Sequence, residues 1–467
     1  MKNLNKLLVL LFLVSFSFSC KKDEGGSIID DDKSVILQGS ITEDMTLEAN
    51  KNYILKGQVF VKNNATLTIP AGVTVAAEQA ASAAEKAALI VTKGSKLLVS
   101  GTAEQPVVFT SGATSKAPGD WTGIIILGNA PTNLPEAHIK GIESSTDTEF
   151  GGDVPADNSG TIQYLRLEYC GGLNPGQEEE WEIDMASGLS LEGVGSGTTL
   201  EHVMVKNSLD DGFQFVGGTV NGRYLIALDN GDDNFDFDRG YTGKLQFLIS
   251  YRRAFGNHAI RANGLESLND KDASNIQPFT KPVISNITII GPEGMDNNEN
   301  NHSQGIYIRK NTRFNIMNSI VAGYSDGGLM LCPRTKPLLI NNEGSEFKFN
   351  LVNCDDPAKS FAYDTGGNGE NIIADPQVAA YATEMETASI ERPSVNKNII
   401  IDPIADLKLK ATYSADVPDL SPQEGSPALT GADFTDNDFS TFFEKVTFRG
   451  ATGAENWAAS SNWAAWN

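Results

Sequence analysis

The chain is short of cysteine, histidine and basic charge. Four cysteines in 467 residues are too few for a fold held together by disulfides. The four histidines, His138, His202, His258 and His302, are scattered and match no metal-ligand spacing. Only 36 Lys and Arg stand against 60 Asp and Glu, for a formal net charge of −24. Phosphate backbones are held by clustered bases, so this balance argues against a nucleic-acid partner. It suits an extracellular protein kept soluble by charge and meeting divalent cations. The apolar run Leu7 to Phe18 is twelve residues, too short to span a bilayer, which takes about 18–20. No Gly-x-Ser-x-Gly elbow, phosphate loop or EF-hand loop occurs, which removes three common routes to a catalytic or calcium site.

The first thing present is an address. Lys2 and Lys6 precede the apolar run and Ser19-Cys20 closes it, the composition of a secretory signal. With cysteine directly behind, the segment resembles a bacterial lipoprotein signal, although Ser17 stands where that pattern usually has Leu. The resemblance implies acylation of Cys20 after cleavage. Lys21-Lys22-Asp23-Glu24 resembles the export signal that sends Bacteroidota-type lipoproteins to the outer face of the outer membrane. Gly25 to Lys33, with Asp30-Asp31-Asp32, has the composition of a hydrated tether. Residues 1–19 are thus expected as signal and 20–34 as acylated tether, which anchors to a bilayer without crossing it.

The mature chain alternates short β segments with Gly, Asn and Asp turns. Tyr53 to Val61, Ala65 to Ile69, Val73 to Ala76, Leu89 to Val91, Lys96 to Val99 and Val107 to Thr110 all have strand character. Ala76 to Ala88 is the exception, an Ala-rich stretch expected as a short helix or excursion. Asp210-Asp211-Gly212-Phe213-Gln214-Phe215 recurs 22 residues on as Asp232-Asp233-Asn234-Phe235-Asp236-Phe237. Asn257-His258 follows at a similar interval, and Ser303-Gln304-Gly305 lies 22 before Ser325-Asp326-Gly327. A period near 22 is too short for a propeller blade and fits one coil of a parallel β-helix. The expectation is therefore an all-β, single-stranded parallel β-helix solenoid over 35–331, with final coils and a C-terminal cap over 332–467. Phe213 would stack on Phe235 and Phe215 on Phe237, while Leu200 to Val205, Tyr224 to Leu228 and Leu245 to Ile249 build another sheet. Cys332 and Cys354, one period apart, come within disulfide reach if they stack. Cys170 is expected as a buried thiol.

Leu67-Thr68-Ile69-Pro70-Ala71-Gly72, Gly101 to Thr110 and Gly119-Asp120-Trp121 through Gly128 resemble secreted β-helix lipoproteins of Bacteroidota. The resemblance continues through Gly195 to Thr199, Asp210 to Phe213 and Gly217-Gly218, and ends at Arg449-Gly450-Ala451 with Trp457, Trp463 and Trp466. It implies a right-handed, pectate-lyase-like β-helix and brings no single activity. Right-handedness also agrees with the general crossover preference.

Chemistry concentrates in the acids. Asp210, Asp211, Asp232, Asp233, Asp236 and Asp238 fall in two successive coils, and such clustered oxygens suit Ca²⁺. The plainer alternative is that they are turn residues satisfied by backbone amides. A catalytic set can also be written. Asp211, Asp232 and Asp233 would be the carboxylates of a glycoside hydrolase, with His258 and Arg309 beside them; in a polysaccharide lyase Arg261 or Arg309 would be the base. Trp181, beside Glu178-Glu179-Glu180, and Asp236 are ligand-binding candidates, Trp181 as a sugar platform. Trp121 is expected as packing, His202 as a hydrogen-bonded wall residue, and Pro292 to His302 as an overhanging loop. The resulting expectation is a surface lipoprotein that binds a glycan, as accessory to an outer-membrane transporter or adhesion system, with the enzyme as the alternative.

Overall fold

The computed structural model describes residues 34–466 apart from 50, 83–84, 135–136, 140–141, 173–186, 254–261, 293–303, 384–396, 414–416, 437 and 460. Each coil contributes a short strand, a turn, and a longer strand that bends midway. The short strands stack in parallel from Ala88–Val91 through Gly123–Leu127, Leu189–Glu192, Phe213–Val216, Phe235–Asp238, Leu265–Ser267, Gln304–Ile308 and Gly327–Leu331 to Phe361–Asp364. Alternation decides what each strand does. Phe213 and Phe215 enter the main core and stack on Phe235 and Phe237 at ring separations of 5.1 and 5.0 Å, the ladder that the 22-residue recurrence predicts. The intervening positions face outward, and their character changes along the stack. Phe60, Ile90 and Ile125 form an apolar patch covered by Ile139 and Phe150. Ser190, Gln214, Asp236 and Glu266 follow on successive rungs, then Tyr307, Met330 and Ala362, which are apolar and packed with Ile372. A polar, acidic strip is thus framed by two covered apolar patches.

The longer strands, among them Gly160–Glu168, Thr199–Lys206, Asn221–Leu228, Lys244–Tyr251 and Val283–Ile290, form two more columns with a corner between them. At that corner Tyr164, His202, Tyr224, Phe247 and Asn286 all have φ between 52° and 59°, a conformation that large side chains rarely adopt. Stacking holds them there: Tyr164 on His202 at 4.4 Å, His202 on Tyr224 at 4.5 Å, Tyr224 on Phe247 at 5.1 Å. His202 is a wall residue as expected, but it is held by rings; its Nδ1 has no hydrogen-bond partner.

Several expectations need correction. Of the two alternatives for Ala76 to Ala88, the described residues hold no α-helix and leave an excursion between the strands Thr74–Ala77 and Ala88–Val91. The true register after Phe235 runs to Leu265, with Asn234 beside Asn263, so Asn257-His258 is not the next rung. Gln304 pairs with Gly327, a step of 23, so the Ser303 and Ser325 motifs miss by one. Cys332 and Cys354 are both free and buried. Cys354 pairs with Tyr324 in a bent-strand column while Cys332 follows the short strand Gly327–Leu331, so their spacing spans two different faces. Cys170 is a buried thiol pushed up to about 12 by burial. Finally, the coil stack is closed by the helix Pro376–Thr383, whose Val378 and Ala382 enter the core. The Trp-rich C-terminus does not cap an end. It lies flat along the bent-strand wall, with Trp463 edge-on to Tyr164 and His202 and Trp457 edge-on to Tyr224.

Candidate functional site

The turns that lead into the short strands Phe213–Val216 and Phe235–Asp238 carry the acid pairs. Backbone approach there is close: a Cβ at Gly231 would collide with the Leu209 carbonyl oxygen, so the Asn-Gly-Asp-Asp turn needs its glycine. Asp211 Oδ1 accepts from the Asp233 N–H at 2.9 Å, and Asp233 Oδ1 accepts from the Asn263 N–H at 2.6 Å. Each inner aspartate therefore ties its coil to the next, which is what the turn reading of these residues requires. Beneath them Arg252, fully buried, donates to the carbonyls of Asn230 at 2.6 Å and Asn263 at 2.8 Å and also to that of Asp232.

Satisfying one oxygen of each inner aspartate leaves the charges crowded. Asp210, Asp211 and Asp232 each bring one carboxylate oxygen within 4.8 Å of the others, and so do Asp233, Asp236 and Glu266. Asp210, Asp211, Asp233 and Asp236 are buried, whereas Asp232 and Glu266 are half-buried. Burial pushes the Asp211 carboxyl well above the usual range, and the charges of Asp210, Asp236, Asp232 and Asp233 push it further. Burial also raises Asp233, followed by Asp232 and Glu266, with the Asn263 N–H and Arg252 pulling the other way. Six oxygen donors of a single charge sign, in two adjoining trios, have the chemistry of a hard-cation site.

These turns form an acidic corner, distinct from the aromatic one within the longer strands, and it has a second property. Residues 173–186, 254–261 and 293–303 each fall in sequence between the end of a bent strand and the start of a short one. Asp210-Asp211 and Asp232-Asp233 occupy the same place in their own coils. Trp181, His258 and Arg261, together with most of the Pro292 to His302 loop, fall in these segments and so lie outside the described residues, as does Cys20.

A family model described as a pectate-lyase-like β-helix domain matches residues 39–390. The chain belongs to that family. No curated protein and no solved structure matches it.

Not every sequence candidate of this pectate-lyase-like β-helix joins the cluster. Asp238 stands apart from both trios and faces Arg239 at 3.6 Å. Asp229 is engaged by Arg253, whose backbone N–H and Nε both donate to it at 2.6 Å. Arg309 reaches the acidic strip through Glu266, 3.2 Å from its Nη1, and lies over the Tyr307 ring. Burial pulls the Arg309 guanidinium down, but Glu266 and Tyr307 together more than offset it and leave it above its ordinary value. Trp121 is packing: fully buried, stacked on Phe109 and donating its Nε1–H to the Glu168 carbonyl at 2.9 Å. Two residues were missed from sequence. Glu266 sits 30 residues beyond Asp236, off the visible period, although the Phe-Asp-Phe to Leu-Glu-Ser match was a usable signal. Arg252 carried no motif at all.

Proposed function

We propose that this protein is a lipoprotein of the outer cell surface, anchored through acylated Cys20, whose acidic corner binds an extracellular glycan for an uptake or adhesion system. The observation that carries the reading is the acidic strip with its adjoining turn, Asp236 and Glu266 of the strip and Asp232 of the turn with their buried neighbours, framed by apolar patches that are already covered. Ionised carboxylates only accept hydrogen bonds, and sugar hydroxyls donate them. A polyanionic glycan is repelled by the same groups unless a divalent cation lies between, and Ca²⁺ accepts six to eight oxygens in adaptable geometry. Asp210, Asp211, Asp232, Asp233, Asp236 and Glu266 are the groups that would hold it. Neutral glycans are therefore expected to bind unaided and uronate glycans only with Ca²⁺. The test is a glycan array probed with and without EDTA, for the wild type and for Asp232→Asn/Asp236→Asn. Failure to retain any glycan, or retention indifferent to the double substitution, rejects the corner as the site.

A second reading rests on Asp211 and Asp233. Carboxyls raised beside ionised neighbours are how one site holds an acid and a base at once, and the family affiliation is compatible with a polysaccharide-cleaving enzyme. The hydrolase form uses Asp211, Asp232 and Asp233, with His258. The lyase form is less favoured at Arg309, because a guanidinium held by Glu266 is a poor proton acceptor. Incubation with polysaccharide panels, reading reducing ends and unsaturated products, distinguishes the two. Turnover abolished by Asp233→Asn would replace the binding reading with this one.

A further inference from the structure

Among the described residues Arg449 has no counter-charge. Its backbone is pinned on both sides: its own N–H donates to the Ala428 carbonyl at 2.8 Å, that of Gly450 to the Asn318 carbonyl at 2.8 Å, and that of Ala451 to Thr288 Oγ1 at 2.8 Å. The side chain is 6% exposed, and its Nε and Nη1 are buried without a hydrogen-bond partner. Gly431 closes over it, since a Cβ there would collide with Nη2. Burial lowers the guanidinium from its ordinary value, and no acid among the described residues offsets this. An arginine stays charged at any working pH, so it cannot escape the cost of burial by neutralising as a buried lysine does. The hydroxyl of Thr452, three residues further on, is likewise buried without a partner.

We propose that this seam, where the C-terminal segment lies on the bent-strand wall, is an anion site with Arg449 as its fixed charge, taking a small oxyanion such as phosphate or sulfate or the carboxylate of an organic acid. A fixed guanidinium charge with uncommitted N–H donors favours a ligand that offers acceptor oxygens, because charge-assisted N–H···O bonds add to the attraction of the opposite charge. The site is separate from the acidic strip, which faces outward from the short strands, and it stands whether or not the glycan reading does.

The experiment uses the full chain. Thermal midpoints are measured while inorganic phosphate, sulfate or acetate is raised through the low millimolar range, with chloride holding ionic strength constant. A bound anion raises the midpoint saturably, by at least about a degree at a large excess over Kd. Arg449→Met, which removes the charge but keeps the bulk, should abolish the response and be no less stable than wild type in anion-poor buffer. Acetate against phosphate separates the carboxylate source from the inorganic one. A flat wild-type response means that the guanidinium is met by water, and overturns the proposal. So does an equal rise in the Met variant, which would be the general exclusion effect of such salts. Should Arg449→Met not fold, calorimetry of phosphate into wild type and Arg449→Lys decides: no heat into wild type rejects the site, and tight binding lost in the Lys variant supports it.

Discussion

Ionising both Asp211 and Asp233 sets like charges against one another in buried turns, so these residues should make stability fall as pH rises. Their folded values lie above the ordinary carboxyl range. The contribution is therefore fully present below about pH 4, where unfolded carboxyls titrate, and is lost as pH climbs through the raised folded values. In EDTA the melting temperature should decline over that window, and Asp211→Asn/Asp233→Asn should flatten the decline. If the corner takes Ca²⁺, a hundredfold excess over Kd adds about 2.7 kcal/mol, enough to move the midpoint by at least a degree or two. That shift should disappear in the double mutant; a calcium shift surviving there would place the cation elsewhere. At this scale the sequence was partly legible. Two Asp-Asp pairs at one spacing revealed the corner, because adjacent coils without insertions keep the period. Glu266 was hidden because 254–261 lengthens the step before it, and Arg252 because a buried side chain that bonds only to carbonyls leaves no pattern.

A solenoid rung is fixed by hydrogen bonds to its neighbours, so residues inserted between rungs do not disturb register. That explains why strands were readable almost individually while the period surfaced only in the middle of the chain. The same freedom made Cys332 and Cys354 look stacked when they occupy different columns. What could not be foreseen is the fate of the C-terminus, since nothing in a Trp-rich tail says whether it covers an end or a side. Its attachments are long-range: Asn286 Nδ2 donates to the Phe448 carbonyl at 2.9 Å, Gln246 and Glu444 exchange two bonds at 2.8 Å, and Arg253 Nη1 donates to the Trp466 carbonyl at 3.0 Å. Trp463 is the anchor, 2% exposed. Trp463→Ala should destabilise the protein by about 3–5 kcal/mol and make the tail a preferred site of limited proteolysis. Phe235→Ala should cost a similar amount without releasing the tail. Equal protease patterns for the two would mean that the tail and the coil wall do not melt separately.

For the whole molecule, no helix among the described residues is long and apolar enough to cross a membrane, and the proposed attachment is through lipid. Cys20→Ala should move the protein from the membrane fraction to the soluble one, and protease treatment of intact cells should digest the wild type. Tight membrane association of the variant, or protection in intact cells, would count against the anchor and the outer-face address respectively. Anchoring through Cys20, as proposed, would give the parallel stack a mechanical meaning. Six successive steps lead from Ser40 to Asp236, through Phe60, Ile90, Ile125, Ser190 and Gln214, a rise of about 29 Å at one strand spacing per step. The lead from Cys20 to Ser34 extends to roughly 50 Å at most. With the proposed anchor, the length of that lead would limit how far the stack can stand from the bilayer, and the stack, like a mast, would hold the acidic corner at least its own half-length from the point where the lead joins it.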